Sequence, residues 1–222
     1  NIGKYIKPST RAVFIEFPTN PFLRVPDYLT ARKVTRAQRI PLILDATFAP
    51  PPNLRLVEVG MESDVTIHSA TKYLSGNNDV QAGFVWGRRE LMLGIDQAKG
   101  REGGQLSPDA AYNLFKGLTT LNLRVEKQNK NGLNVARALS SHPSIERVWY
   151  PLERSHPDFA RASLMLKGGG GVVSFTVTCE DKAKDTDYFI TQLNLFGISA
   201  SFGGTVGMVQ RVLPLSYSTM PS

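Results

Sequence analysis

Lys72 closes the stretch Val65-Thr66-Ile67-His68-Ser69-Ala70-Thr71-Lys72, a primary amine placed just after a short apolar run. Two other polar groups hold the same kind of place. Asn20 follows the run Ala12 to Ile15, and Asp45 ends the run Ile40 to Leu44. With the hydroxyls of Ser69 and Thr71, these residues offer an amine, a carboxylate, an amide and two hydroxyls. An amine condenses with carbonyl groups and, once released, moves protons as general acid and base. A carboxylate keeps a proton on a nearby heterocyclic nitrogen, because the opposite charge stabilises the protonated form. Hydroxyls donate to phosphate oxygens. His68, His142 and His156 have no zinc-like partners in the sequence, so a metal set is not expected.

The elements that must position these groups read as alternating strands and helices, an α/β architecture with a mostly parallel sheet. Ala12 to Ile15 is a strand feeding the loop Glu16-Phe17-Pro18-Thr19-Asn20-Pro21, where the prolines end the ladder. Asp27 is a good N-cap for a helix through Leu29, Ala31 and Val34. Ile40 to Leu44 reads as a buried strand ahead of the turn Pro50-Pro51-Pro52. Val65 to Ile67 is a third strand and Phe84 to Trp86 a fourth. In open α/β sheets ligands bind beyond the carboxyl ends of the strands, where Asn20, Asp45, Ser69, Thr71 and Lys72 fall. Leu118 to about Leu139 has the pattern of a long amphipathic helix, with a break or kink expected at Gly132. Ile145 to Tyr150 and Val172 to Thr178 read as strands on either side of the Gly168 to Gly171 run, which lacks the spacing of a phosphate loop and reads as a turn. We expect residues 1–125 to belong to one domain and residues 126–222 to supply a linker helix and the start of a second.

The 222 residues suffice for one sizeable domain or two small ones, and 41% hydrophobic with 20% charged residues excludes a disordered or collagenous chain. No stretch approaches the apolar length of a membrane helix and Asn1 to Lys7 lacks a signal-peptide core, so neither a membrane nor an export role is expected. The single cysteine, Cys179, excludes an internal disulfide and reads as a small buried hydrophobe, which favours a reducing compartment, the cytoplasm or an organelle matrix. The net charge of +7 comes from 26 scattered Lys and Arg residues, a basic surface rather than a nucleic-acid site. A non-catalytic basic binding protein stays as the remote alternative. The chain starts at Asn1 and stops at Ser222, and it reads as part of a longer protein.

A lysine, a carboxylate and hydroxyls for a phosphate are what pyridoxal phosphate requires. Each residue has a plainer role open to it. A lone lysine after a strand is usually a surface charge, Asp45 could close a turn, and Asn20 could satisfy its own loop backbone. The surrounding blocks weigh against those roles. Asp45-Ala46-Thr47-Phe48-Ala49, the run from Val65 to Gly76 and Asn78-Asp79-Val80-Gln81-Ala82-Gly83 resemble the signature of the cystathionine γ-synthase and γ-lyase family of pyridoxal phosphate enzymes. Glu16 to Pro21 is similar to the family's ESPTNP segment, Lys116 to Leu121 to its RGLKTL, and Gly169 to Phe175 to its GGxVSF.

The resemblance implies the aminotransferase class I type of fold, incomplete in this chain, with a small α+β C-terminal domain. It implies that Lys72 is the Schiff-base lysine, Asp45 the partner of the pyridine nitrogen and Asn20 the amide near the phenolic oxygen. Ser69 and Thr71 would be phosphate ligands, and Ser201 would line the substrate end of the pocket. It also implies a homo-oligomer, dimer or tetramer, completing the active site, and amino-acid substrates. Ala200 to Gly204 and Leu121 to Val125 look closer to synthases, which gives γ-replacement on an O-activated homoserine by a thiol such as cysteine. A cystathionine or methionine γ-lyase, or a cystathionine β-lyase, is the first alternative. The family's N-terminal phosphate-site arginine and tyrosine have no counterpart in the chain, and its carboxylate-binding arginine would lie beyond Ser222. After Gly204 the sequence reads Thr205-Val206-Gly207-Met208-Val209-Gln210-Arg211-Val212-Leu213-Pro214 where the family has a glutamate-serine pair and later a proline-alanine pair. That change bears on the substrate rather than the cofactor.

Overall fold

The computed structural model describes residues 2–178 and 180–212. Cys179, and Leu213 and Pro214 of the distal run, lie outside them. Strands β1 (Val13–Glu16), β2 (Leu42–Asp45) and β3 (Val65–Ser69) are parallel, and β4 (Gly83–Gly87) adds antiparallel to β3, in the order β1-β2-β3-β4. Strand β2 lies inside the sheet with its inner face sealed: Leu42 and Leu44, which share that face, are fully buried, while Ile43 and Asp45 on the other are partly covered. Each such leucine stabilises the fold by about 1.5–3 kcal/mol. Asp64, just before β3, fixes the register from the other end. Its carboxylate accepts from the Leu42 amide at 2.7 Å, from Arg32 at 2.7 Å and from Arg88 at 3.0 Å.

Helix α1 (Tyr28–Ala37) starts as the sequence indicates, with the Asp27 side chain accepting from the Thr30 amide at 3.1 Å. Its buried face differs from the expected one. Tyr28, Ala31 and Thr35 point inward, whereas Leu29 is 48% exposed and Val34 only partly covered. Spacing of three and four residues makes Tyr28, Ala31 and Thr35 one stripe, and Tyr28 fills the space beside Leu42 and Leu44. Under this core lie Ala162 and Met165 of a short helix, α5 (Phe159–Met165).

After β4 the chain forms α2 (Arg89–Glu102), α3 (Pro108–Thr119) and α4 (Leu121–Ser140). The break falls at Thr120, between α3 and α4, and α4 is continuous through Gly132. Gly132 is there for contact instead of bending: a Cβ on it would lie 2.5 Å from the Gly170 carbonyl oxygen and 3.0 Å from the Tyr150 ring. β5 (Ile145–Trp149) and β6 (Ser174–Val177) pair antiparallel and pack on α4 through Ala136, Val148 and Tyr150. Helix α6 (Lys182–Thr191) and the short parallel pair β7 (Gly197–Ile198) and β8 (Met208–Val209) follow. Among the described residues no helix is long and apolar enough to cross a membrane.

Candidate active site

The parallel register brings the carboxyl ends of the first three strands level. Glu16 stands beside Asp45 and Asp45 beside Ile67, with the Phe17 amide on the Asp45 carbonyl at 2.8 Å and the Ala46 amide on that of Ile67 at 3.0 Å. Beyond this rim the Asp45 carboxylate accepts from the Thr47 amide at 2.9 Å, a side-chain turn that ends β2. The Thr47 hydroxyl in turn accepts from the Ser69 amide at 2.8 Å, tying the loop after β2 to the end of β3. Only one Asp45 oxygen has a partner among the described residues, and the Ser69 hydroxyl has none.

Lys72 sits in a single wide turn, Ala70–Leu74, whose backbone leaves helical geometry at Lys72 itself (φ −87°, ψ −120°). The half-buried amine donates to the Ser201 hydroxyl at 3.2 Å and lies 5.1 Å from the centre of the Phe202 ring. Phe202 stacks on Phe48 at 4.6 Å and meets Tyr73 edge-on at 5.7 Å. Burial in this aromatic surround lowers the pKa of the Lys72 ammonium. Beside it on β3, burial pushes His68 down to about 4, against a weaker upward pull from Asp45, so its imidazole is neutral.

The Ser201 loop reaches this far because of Gly203. With φ +83°, it lies where a Cβ would stand 2.6 Å from the Tyr73 amide nitrogen and 2.8 Å from the Lys72 carbonyl carbon. The segment Ser201-Phe202-Gly203-Gly204 is the seat of the contact.

The expected residues are thus brought together unevenly. Lys72 and Ser201 touch, and Asp45 and Ser69 are linked through Thr47. Thr71 is on the same turn, but its hydroxyl accepts from the Ala82 amide at 3.0 Å and donates back to the Ala82 carbonyl at 3.4 Å. Asn20 is exposed in the loop after β1, its backbone N–H donating to the Glu16 carboxylate at 3.1 Å, and no hydrogen bond joins its side chain to Asp45 or Lys72. Thr47, Phe48, Tyr73 and Phe202 were given no role from sequence, although all four stand in or beside the quoted blocks. For Phe48, Tyr73 and Phe202 the available signal was an aromatic one to three residues from a polar site residue. His156 is buried as a structural group, its ring accepting from the Asp158 amide at 3.1 Å and facing the Phe22 carbonyl at 3.4 Å. Among the described residues no three His, Cys, Asp or Glu side chains group as a metal site.

The donor set fits pyridoxal phosphate: a half-buried amine whose basicity is reduced, a carboxylate with one oxygen unengaged at a strand end, and the unengaged hydroxyl of Ser69 at the end of the neighbouring strand, three residues before the lysine. An α/β sheet with an amine-bearing turn at its carboxyl edge is an arrangement able to capture a carbonyl group. The sequence matches the Cys/Met metabolism PLP-dependent enzyme family over residues 1–222, and the chain belongs to that family. It is 38% identical over 208 residues to cystathionine gamma-synthase 1, chloroplastic, of Arabidopsis thaliana, covering 94% of this chain and 36% of that protein. It is 32% identical over 221 residues to the cystathionine gamma-lyase of Bacillus subtilis, covering 99% of this chain and 57% of that one. The fold superposes on the crystal structure of cystathionine gamma-lyase from Lactobacillus plantarum with a TM-score of 0.91 at 28% identity, over 99% of this chain and 57% of the other. The chain therefore spans between about a third and somewhat over half of these relatives.

Proposed function

We propose that the protein catalyses γ-replacement, exchanging the oxygen substituent of an O-activated homoserine for a thiol such as cysteine. The observation that carries this reading is the contact of the Lys72 amine with Ser201, which sets a proton-moving group against the loop that leads into the distal run. Pyridoxal phosphate, when bound, supplies the electron sink for breaking bonds at the substrate's α and β carbons. Lys72 would hold its carbonyl carbon and, once displaced by substrate, carry protons between substrate carbons; its lowered pKa favours the free amine that this work needs. The unengaged oxygen of Asp45 would hold the proton on the pyridine nitrogen, and Asn20 would lie near the phenolic oxygen. Ser69 would donate to the phosphate, joined by Thr71, whose long contact to the Ala82 carbonyl is the one a phosphate oxygen would draw away.

Ser201 would orient the amine and border the substrate. On this reading residues 1–125 belong to the cofactor-binding domain and residues 126–222 to the linker helix and start of the second domain, and the full protein is a homo-oligomer. Synthase over lyase is favoured by identity: 38% to the plant gamma-synthase against 32% to the bacterial gamma-lyase. To test it, the full-length enzyme is offered O-acetyl-, O-succinyl- and O-phosphohomoserine with several thiols, and cystathionine alone. Thioether from an ester is expected. Cleavage of cystathionine with no thioether from any ester would make the protein a lyase.

A further inference from the structure

Lys72 sits on the Ala70–Leu74 turn and Ser201 on a loop 129 residues further along the chain, so something must hold the two backbones at that distance. Helix α4 does so from behind. Gln128 donates through one Nε2 to the Gly203 carbonyl at 3.0 Å and to the Gly204 carbonyl at 3.1 Å, two and three residues beyond Ser201. One turn earlier Arg124 donates to the Tyr73 carbonyl at 2.8 Å, the Leu74 carbonyl at 3.4 Å and the Gly117 carbonyl at 2.7 Å, and through Nε to the Thr120 hydroxyl at 3.0 Å. Positions four apart share a helix face. The same face therefore grips the chain just after Lys72 and the chain just after Ser201.

We propose that Gln128 and Arg124 are positioning residues that fix Ser201 and Lys72 to each other from one face of α4, deepening the pyridoxal phosphate reading on which the proposal rests. The chemistry of both side chains suits that task and little else at this place. Arg124 makes no ion pair with a carboxylate among the described residues. Its half-buried charge is met by the Tyr73, Leu74 and Gly117 carbonyls, a fork a lysine cannot reproduce. The Gln128 Oε1 is buried without a partner. Turning the amide over would set that oxygen against two carbonyls, so the donor orientation is the only one the Gly203-Gly204 turn accepts. Neither residue touches the Lys72 amine, and both act through the backbone on either side of it.

The test reads the Lys72 amine directly, in full-length protein freed of pyridoxal phosphate. Acetic anhydride labels lysines in competition, and mass spectrometry gives the rate at Lys72 relative to exposed Lys33 on α1, which reports any general loosening. Removing the Ser201 acceptor leaves more free amine and opens access, so Ser201→Ala should raise the ratio, by about threefold for a single lost hydrogen bond. Gln128→Ala should raise it by the same factor, and the double variant should rise no further than Ser201→Ala alone, because the first acts through the second. Arg124→Ala should raise the ratio as well, with Arg124→Lys restoring it only in part. An unchanged ratio in Gln128→Ala or in Arg124→Ala, full rescue by Arg124→Lys, or factors that multiply in the double variant would overturn the proposal. In the holoenzyme, borohydride reduction separates the two readings. A pyridoxyl group on another lysine would remove the cofactor role of Lys72 and leave the acetylation ratios standing.

Discussion

The amine of Lys72 lies 3.2 Å from the hydroxyl of Ser201 across a sequence separation of 129 residues. The strand ends put Lys72 in place, and a glycine turn brings Ser201 to it. The close approach of Gly203 to the Lys72–Tyr73 peptide is what permits the meeting, so the first expectation concerns that glycine. Gly203→Ala requires a side chain at φ +83° and a Cβ 2.6 Å from backbone, so the loop must retreat. Turnover should fall at least about tenfold, while the main core, far from the change, keeps the thermal midpoint within a few degrees of its original value, as loss of about 1 kcal/mol implies. Steady-state kinetics and a thermal melt on the same sample check it; native turnover would contradict it.

Replacing Asp45 by Ala should leave the cofactor attached to the protein but lower turnover by orders of magnitude, since the carboxylate is the group proposed to keep the ring nitrogen protonated. The Thr47 amide also loses its acceptor, at a cost of about 1 kcal/mol. Asp45→Asn keeps that acceptor and should be as inactive as Asp45→Ala. An Asn variant with native turnover would show that the turn, not the charge, is what matters.

How much of this arrangement could be read from sequence follows from the range of the forces involved. Leu42, Leu44 and Val65 announce their strands because burial is written locally in apolar runs, and Asp27 announces α1 because a cap bonds three residues away. Asp45, Ser69 and Lys72 were legible for the same reason, each following its own strand. The pairing of Lys72 with Ser201 was not, since nothing near either residue encodes a contact so distant in the chain. Gly132 misled because glycine breaks helices and also admits close neighbours, and only the Gly170 carbonyl and Tyr150 reveal which use applies. Helix α2 went unread because its apolar residues, Leu93 and Ile95 among them, face outward and leave no clear stripe.

Stability should depend on pH through His68. Its folded pKa of about 4 lies below the ordinary value of 6.5, so the unfolded chain binds a proton that the native state refuses. Stability from this residue is intact above pH 6.5 and is lost as pH falls from 6.5 toward 4, by at most on the order of 3 kcal/mol. Urea unfolding of the full-length protein across that range should show the slope, and His68→Gln should flatten it. An unchanged slope in His68→Gln would contradict the assignment.

Asp64 gives a second, lower window. Burial works to raise its pKa, but the Leu42 amide and the guanidiniums of Arg32 and Arg88 outweigh it, leaving the carboxyl below the usual range. A group lowered in this way stabilises the fold above its unfolded value and loses that contribution as pH falls through the folded one. Asp64→Asn should therefore cost about 1 kcal/mol at neutral pH, a modest figure because Arg88 is largely exposed and Arg32 partly so. The gap to the unsubstituted protein should close in strong acid. A constant gap in denaturant titrations at both pH values would show that packing, not charge, makes the difference.

The central claim is that Lys72 is the residue that binds pyridoxal phosphate covalently, and one measurement addresses it directly. The full-length holoenzyme is reduced with borohydride, digested and mapped by mass spectrometry. A single pyridoxyl group on the peptide carrying Ser69-Ala70-Thr71-Lys72, at Lys72, is the expected result; a pyridoxyl group on any other lysine, with Lys72 unmodified, would contradict the account.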